Sequence, residues 1–597
     1  MEREQIFERR QKRYEEIEAR YEKKYIVYSR LRVVIFVLGA VAAVFYANER
    51  NGTAVAICVA VFTLLFLLVV KRHNLIAYRR DISRILKEIN EQESLRLMLK
   101  LDGFDGGEEF RVKNHPYDID LDIFGRNSIF QLIDRTVTFS GRETLARYLG
   151  RRSPTEFIRE RQETVKELTG EIDWRQDFAA SGLVFKSRQI DRAGLQKWLA
   201  DAPAIKSMEH YGAVAFAMRV VMAAAIAAIL SGLIQWSWAF LPLLVNIGLL
   251  VKFGRQTQEV YNQTGKSYAI LKSASRLIRK AETAKFQTRG WRRFAGQFSA
   301  GLKRASIEIG KLGRILEGFD ARNGSMYHIL NPIFLLDLLW LFRAERWRRE
   351  NGALVERWFG ALGEIETICS IAGFAFAYPD NAFPEISEKP HVLQAEGMGH
   401  PLIASGKRVV NDFEFTAEKQ ITLVTGSNMS GKSTFLRTVG VNVALALMGA
   451  PVCARRFAVS NIDLFTSMRT QDNLVENVSS FYAELSRIRQ LLEMLKGGEP
   501  VMFMLDELLK GTNSRDRHRG AIALIRQLAK MNASGFVSTH DLELARLEEM
   551  EPQVKNYSFE SALENDQLVF DYKIRRGAAE SFNASILMEK IGIRMRE

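Results

Sequence analysis

ITLVTGSNMSGKSTFLRTVG, residues 421–440, decides how the C-terminal region of this chain is built. Ile421 to Val424 is a short, mostly β-branched apolar run, the pattern of a buried strand. Directly after it, Gly426-Ser-Asn-Met-Ser-Gly431-Lys432-Ser433-Thr434 fits GxxxxGK[ST], and a helical pattern opens near Ser433. In that setting the two glycines let the backbone curl until its N–H groups and the helix N-terminus face phosphate oxygens. Lys432 adds charge at the β- and γ-phosphates, and Ser433 offers a ligand to Mg²⁺. Ser427, Asn428, Met429, Ser430 and Thr434 complete the nucleotide-binding loop. A glycine-rich turn with no ligand has no use for Lys-Ser-Thr in this register.

Further along, Val501 to Leu505 reads as a second buried strand that delivers Asp506 and Glu507 at its C-terminal end, where open parallel sheets bind their ligands. Asp506 is suited to hold the metal, usually through water, and Glu507 to orient or activate an attacking water. Paired acids alone are more often caps or surface charge; behind a phosphate loop they acquire a role. A third strand, Gly535 to Thr539, ends in His540, which suits a hydrogen bond that senses the γ-phosphate. From about Pro390, β-rich runs such as ITLVT and VMFML alternate with helical segments, which predicts a parallel sheet covered by helices.

The remainder is of another kind. At 597 residues the chain exceeds one hydrophobic core, and three or four units are expected. Residues 1–32 are densely charged with acids and bases at i,i+3 and i,i+4 spacing, which is unlike a secretory signal and reads as a solvated helix. Two pairs of apolar runs follow in the chain, Val33–Ala47 with Thr53–Val70 and Val220–Ile234 with Ser237–Val251, and none contains Asp, Glu, Lys or Arg. They are at or just below the roughly 17 to 25 residues that span a bilayer, so a buried-core reading competes. The flanks favour membrane hairpins: Arg30, Arg32, Lys71, Arg72, Arg79 and Arg80 bracket the first pair, and Arg219, Lys252 and Arg255 the second, with Trp236 and Trp238 at the opposite interface. This predicts a multi-pass protein of the inner (cytoplasmic) membrane, in contact with lipid, whose soluble regions all lie in the cytoplasm. Ile329 to Phe342 holds Asn331, Pro332 and Asp337 and is expected to be a core helix.

Residues 110–200 carry helical periodicity, and residues 252–316 are helix-like and basic, with cations from Lys266 to Arg314 against few acids. That stretch offers an anion-binding surface or, equally, a solvated face beside headgroups. The formal net charge of +14 and pI near 9.5 favour an anionic partner, nucleic acid or acidic phospholipid. Cys58, Cys369 and Cys453 are far apart with no CxxC spacing and no neighbouring His, so neither a disulfide framework nor a zinc site is suggested, and a reducing compartment fits.

Several segments resemble the MutS family of mismatch-repair ATPases. TGSNMSGKSTFLRTVG is similar to its phosphate loop, LDELLKGTNSRDR to its Walker B and D-loop, and STHDLELA to its His switch. FTSMRTQDNLVENVSSFYAELSRI resembles its signature segment, with Asp472, Leu474, Ser479, Phe481 and Glu484 on matching positions. YKIRRGAAESFNASILMEKIGI looks like the end of its ATPase domain, and GMGHPLI with Val410-Asn411-Asp412 like the approach to it. LIDRTVTFSGRETLARYL with Arg161-Gln162 resembles its helical core. The likeness covers about residues 110–200 and 320–595.

The resemblance implies an α + α/β protein: an all-helical, lever-like core carrying the hairpins, then an ABC-type P-loop NTPase domain. The expected order is a charged helix (1–32), a first hairpin (33–72), a linker or helix (73–109), the first core segment (110–210), a second hairpin (211–252), the second and basic core segment (253–385) and the ATPase (386–597). It implies a homodimer that sandwiches ATP with Mg²⁺, Ser479 of one chain reaching in trans the γ-phosphate held by Lys432 of the other, and hydrolysis coupled to DNA without sequence specificity. The partner's donors complete the charge-stabilising cage around the γ-phosphate.

Departures are informative. Asn477 stands where the family usually has Gly, and Leu508-Leu509-Lys510 replaces Ile-Gly-Arg. The N-terminal mismatch-reading domain has no counterpart; Phe383-Pro-Glu385 fits the letters of its Phe-x-Glu wedge but lies just before the ATPase. The second hairpin and the basic helices stand where the DNA clamp is expected, and no nuclease-like tail follows. Two other readings stay open: an ABC-type transporter subunit, and an ATP-gated membrane scaffold without DNA binding.

Overall fold

The computed structural model describes residues 2–185, 192–201, 208–265, 267–300, 303–416, 419–427, 429–469, 480–564 and 567–579. Expectations resting on Asn428, Asp472, Leu474, Asn477, Ser479 and the segment after Ala579 lie outside the described residues.

The described strands are β1 (Ser299–Ala300) and β2 (Lys303–Arg304), a small hairpin, then β3 (Glu385–Ser387), β4 (Leu393–Met398), β5 (Asn411–Glu414), β6 (Ile421–Gly426), β7 (Arg456–Ser460), β8 (Asp463–Ser467), β9 (Val501–Asp506), β10 (Ala533–Thr539), β11 (Val554–Glu564) and β12 (Gln567–Arg576). A six-stranded sheet runs β12-β11-β6-β10-β9-β8, parallel except for β12, which returns antiparallel on the edge. A second sheet, β3-β7-β4-β5, abuts it. Strand β9 shows why the larger sheet is covered on both faces. Val501, Phe503 and Leu505 point into one core cluster with Leu491, Leu524, Ile525 and Leu528, while Met502 and Met504 point into the other with Phe435, Leu436 and Val439. A strand buried on both sides reads as the unbroken apolar run that the sequence displays.

N-terminal to these sheets the chain is helical. Its longest core helix, Leu336–Ala377, buries Ile365, Ile368, Ile371 and Phe374 completely at its C-terminal end. The apolar stretch at Ile329–Phe342 breaks in two: Ser325–Phe334 contains Pro332 and ends at Leu335, whose φ is 50°. Leu335, Leu338, Leu341 and Phe342 are buried, in agreement with a core helix, whereas Ile329 on the first half is 60% exposed, so the expectation holds only for the part after the break.

The two apolar pairs form helical hairpins. The first consists of Glu2–Asn48 and Gly52–Leu97, with Asn51 capping the second helix through Ala54 N at 3.0 Å. The second apolar run continues as one uninterrupted helix to Leu97, so residues 73–97 of the stretch expected to be linker or helix are helix, because nothing between Lys71 and Leu97 stops it. The second consists of Met208–Leu230 and Phe240–Thr264. In these four helices the most apolar windows are only 0% to 11% buried, and Phe36, Leu67, Leu230, Leu233 and Trp236 stand exposed.

For residues 1–32 the structure corrects the expectation of a fully solvated helix. The helix is there, but Phe7 is 2% exposed against Phe376, and Arg10 reaches Asp173 at 2.7 Å and Gln176 at 2.8 Å. A single aromatic at a contact position fastens an otherwise charged helix to the core, which charge spacing alone does not reveal.

Candidate active site

Strand β6 is buried along its whole length and releases the chain into the loop at Gly426. Gly426 has φ 147°, and a Cβ there would lie 2.7 Å from the Phe559 carbonyl oxygen; Gly431 has φ 105°. Both positions therefore require glycine. The helix Lys432–Leu447 starts at the lysine itself. Lys432 is 5% exposed and its Nζ donates to the carbonyl oxygens of Gly426 and Ser427, each at 2.9 Å. Burial pushes its ammonium down to about 8, with Asp506 and Glu507 opposing that shift. The hydroxyls of Ser427 and Ser430 are buried, and among the described residues neither has a hydrogen-bond partner. Curled backbone, a charged amine and two uncommitted hydroxyls form a cradle whose chemistry fits a phosphate.

Strand β10 lies between β6 and β9, so His540 emerges between the loop and the acids. Asp506 accepts a hydrogen bond from the Ser538 hydroxyl. Glu507 adopts φ 55°, and its N–H donates to the Ser538 carbonyl oxygen at 3.2 Å. Its Oε1 lies 2.7 Å from His540 Nε2 and its Oε2 lies 3.2 Å from Lys510 Nζ. The hydrogen bond from His540, with help from Lys510 and against burial, holds the Glu507 carboxyl down at about 2. An acid kept ionised in a left-handed backbone position at a strand end marks a candidate functional site.

Gly426, Ser427, Met429, Ser430, Gly431, Lys432, Ser433 and Thr434 thus form one continuous loop and helix start, and Asp506, Glu507 and His540 gather beside it. Met429 is 82% exposed at φ 70°. Ser538 escaped the sequence reading; its signal, a hydroxyl two residues before His540 on the same strand, is too common to notice. Glu484 matched a family position without an evident task. In the fold it accepts the Leu509 N–H, and Lys510 and Gly511 N–H groups also turn to it. It thereby holds Leu509 at φ 58° and shapes the turn that carries Lys510.

The far end of the loop's helix meets the helical core. Arg161 Nη1 donates to the Met448 carbonyl oxygen at 2.6 Å, a cation at a helix C-terminus, and Gln162 Nε2 donates to the Pro384 carbonyl oxygen at 2.9 Å. Asp120 accepts from the Thr466 hydroxyl at 2.7 Å and from Arg469 N at 3.0 Å. The site and the core are therefore mechanically joined. Among the described residues of the basic stretch up to Arg314, several cations are committed internally. Lys280 pairs with Asp177, Lys272 with Glu317 at 2.7 Å, Arg293 with Glu160 at 3.0 Å and Lys311 with Glu308 at 2.8 Å.

Residues 422–590 match the family model MutS domain V. The chain is 31% identical over 237 residues to the DNA mismatch repair protein MutS of Natronomonas pharaonis, covering 39% of this chain and 27% of that protein. It is 32% identical over 222 residues to the protein of the same name from Thermotoga neapolitana, covering 37% and 27%. With that of Chlorobium phaeovibrioides it is 30% identical over 239 residues, covering 39% and 27%. The matched region spans about a quarter of the length of these curated relatives.

Proposed function

We propose, from the premise that the C-terminal portion of this chain belongs to the MutS family, that the protein is a membrane-anchored ATPase that binds and hydrolyses Mg-ATP at a dimer interface and couples this to DNA. The observation that carries the reading is the convergence of Lys432, Asp506, Glu507 and His540 at the ends of three adjacent strands behind a glycine-dependent loop. Backbone N–H groups of the loop and the Lys432 ammonium would hold the triphosphate, exchanging the amine's two carbonyl partners for phosphate oxygens. Ser433 and Asp506 would hold Mg²⁺, which when bound neutralises charge on the phosphates. Glu507, ionised, orients the attacking water and takes its proton, and His540 fixes that carboxylate. Ser479 of a second copy would complete the cage.

Membrane anchoring rests on the two exposed apolar hairpins, since an apolar surface of that extent does not face water in a stable monomer. The same observation favours a second reading, an ATP-gated membrane scaffold without DNA. The test is retention of plain, mismatched and branched duplex DNA by the full chain with ATP or ADP, beside its Mg-dependent ATPase. ATP turnover with nucleotide-dependent, salt-sensitive DNA retention supports the first reading; turnover with no retention at low salt selects the scaffold. A parent protein that retains no nucleotide with magnesium sinks both.

A further inference from the structure

Beyond Glu507 and His540 the site opens into a cavity of about 620 Å³ lined also by Lys510, Arg515, Arg517, His518 and Arg519, and by no described residue of the phosphate loop. Its acids are already engaged. Glu507 is paired with Lys510 at 3.2 Å and with His540 at 2.7 Å, and Asp541 lies 2.6 Å and Glu543 3.6 Å from the His518 ring. Asp516, on the same turn, is tied to Asn513 Nδ2 at 2.7 Å. Arg515, Arg517 and Arg519 are exposed, and among the described residues none of them has an acidic partner. This contrasts with the basic stretch of the core, where acids answer many of the cations. Arg515 and Arg517 also sit in the first turn of the helix Ser514–Lys530, where the partial positive charge of the helix end makes cations unfavourable, and Arg519 follows one turn on. Local stability does not account for them, whereas an incoming anion relieves both the mutual repulsion and the clash with the helix dipole.

The position of the cavity indicates which anion. It lies past the C-terminal ends of β9 and β10, along the edge of the sheet that carries the phosphate loop at the end of β6. One edge therefore presents a nucleotide cradle and, further along, a set of uncommitted guanidiniums. In a two-fold interface the same patch meets itself reversed, and an axis passing between the two regions sets the basic region of one copy against the cradle of the other. A bound triphosphate supplies the complementary charge, and the planar guanidinium suits its oxygens. We propose that Arg515, Arg517 and Arg519 act in trans, gripping the phosphates of the nucleotide held by Lys432 of a second copy of this chain. The proposal rests on the dimeric ATPase reading above and adds to it the residues that couple dimerisation to turnover.

The test uses the full chain in lipid vesicles and mixes two variants. Lys432→Ala keeps its arginines and loses its cradle; Arg515→Ala/Arg517→Ala/Arg519→Ala keeps its cradle and loses the trans grip. Because the three side chains are exposed and without acidic partners, the triple variant should fold, which binding of a fluorescent ATP analogue at parental affinity checks independently. The expected result is that each variant alone turns over ATP at least about tenfold slower than the parent, and that mixing restores turnover well above the sum, because one composite site regains both halves. No restoration on mixing, with the triple variant slow, assigns the arginines to their own chain's nucleotide and overturns the proposal. Parental turnover by the triple variant overturns it as well, and if that variant instead loses retention of duplex DNA, the arginines serve a nucleic-acid backbone. A parent without Mg-dependent turnover removes the dimeric ATPase reading itself, an outcome distinct from all of these.

Discussion

His540 Nε2 sits 2.7 Å from Glu507 Oε1, although the two residues belong to neighbouring strands and are 33 positions apart. The contact holds the carboxylate in place and keeps it ionised far into the acid range. Glu507→Gln should retain nucleotide while lowering turnover roughly 100- to 10,000-fold, the usual weight of a positioned general base, and should accumulate ATP-bound dimer. Single-turnover hydrolysis and size-exclusion chromatography with ATP read the two effects. Parental turnover in this variant would remove Glu507 from the water-activating role.

His540→Ala isolates the second partner. Turnover should fall about ten- to a hundredfold, the worth of a hydrogen bond to a charged group. The sign of the pH effect follows from the depressed carboxyl. In the parent the group stays charged until the pH falls to about 2, whereas without His540 it should move toward its ordinary value of 4.5. An acid-side inflection rising toward that value should emerge only in the variant, and an unchanged profile would detach His540 from Glu507.

Lys432 titrates in the opposite sense. Burial lowers its ammonium from 10.5 to about 8, so the nucleotide-free fold carries an unfavourable charge below that pH and is relieved of it as the pH rises through 8. Phosphate oxygens would favour the charged form again. ATP binding near pH 8 should then take up a proton, and affinity should decline at higher pH. Calorimetric titrations in two buffers of different ionisation enthalpy measure this; identical heats would contradict it. Lys432→Ala should abolish binding.

How much of this was legible in the sequence depends on how local each requirement is. Gly426 to Thr434 could be read because one continuous loop must supply glycines, amine and hydroxyl in fixed order, and Asp506-Glu507 because a buried strand must end before its acids. The strand order that brings His540 between them is non-local, as are the Ser538–Asp506 and Arg161–Met448 contacts. Phe7 was hidden among charges for the same reason, since its partner Phe376 lies at the other end of the core. The apolar hairpins were legible in composition, yet their helices run on through charged sequence, because lysine, arginine and glutamate favour helix as leucine does.

Glu484 makes the turn after Glu507 a product of two distant segments. It accepts the Leu509 N–H, so Glu484→Ala leaves those amides without their acceptor, a cost of about 1.5–3 kcal/mol for a charged hydrogen bond. Among the described residues its hydrogen bonds go to the turn at Leu509 to Gly511 and not to the phosphate loop, so nucleotide affinity should stay near parental while turnover falls about tenfold or more. Binding of a fluorescent ATP analogue beside steady-state turnover separates the two. Loss of both would mean that Glu484 supports the whole domain and not this turn alone.

The first hairpin can be shortened without disturbing its base, because Arg32 Nη1 and His73 Nδ1 already lie 3.2 Å apart across the two helices. Replacing residues 33–70 by a short Gly-Ser turn should leave the docked lower end, where Arg10 meets Asp173 and Arg135 pairs with Glu93 at 2.7 Å, as it is. The removed segment presents Val33, Phe36, Val44, Leu64 and Leu67 outward, each at least half exposed. That surface is suited to hydrocarbon, which a helix of about 20 apolar residues can span. The full chain should therefore sediment with membranes and resist carbonate extraction. The shortened chain, still carrying the second hairpin, should be extracted more readily while its ATP turnover stays within about twofold. A full-length protein released by carbonate would sink the anchoring, and loss of turnover on shortening would instead tie the hairpin to the chemistry through the Arg135–Glu93 joint.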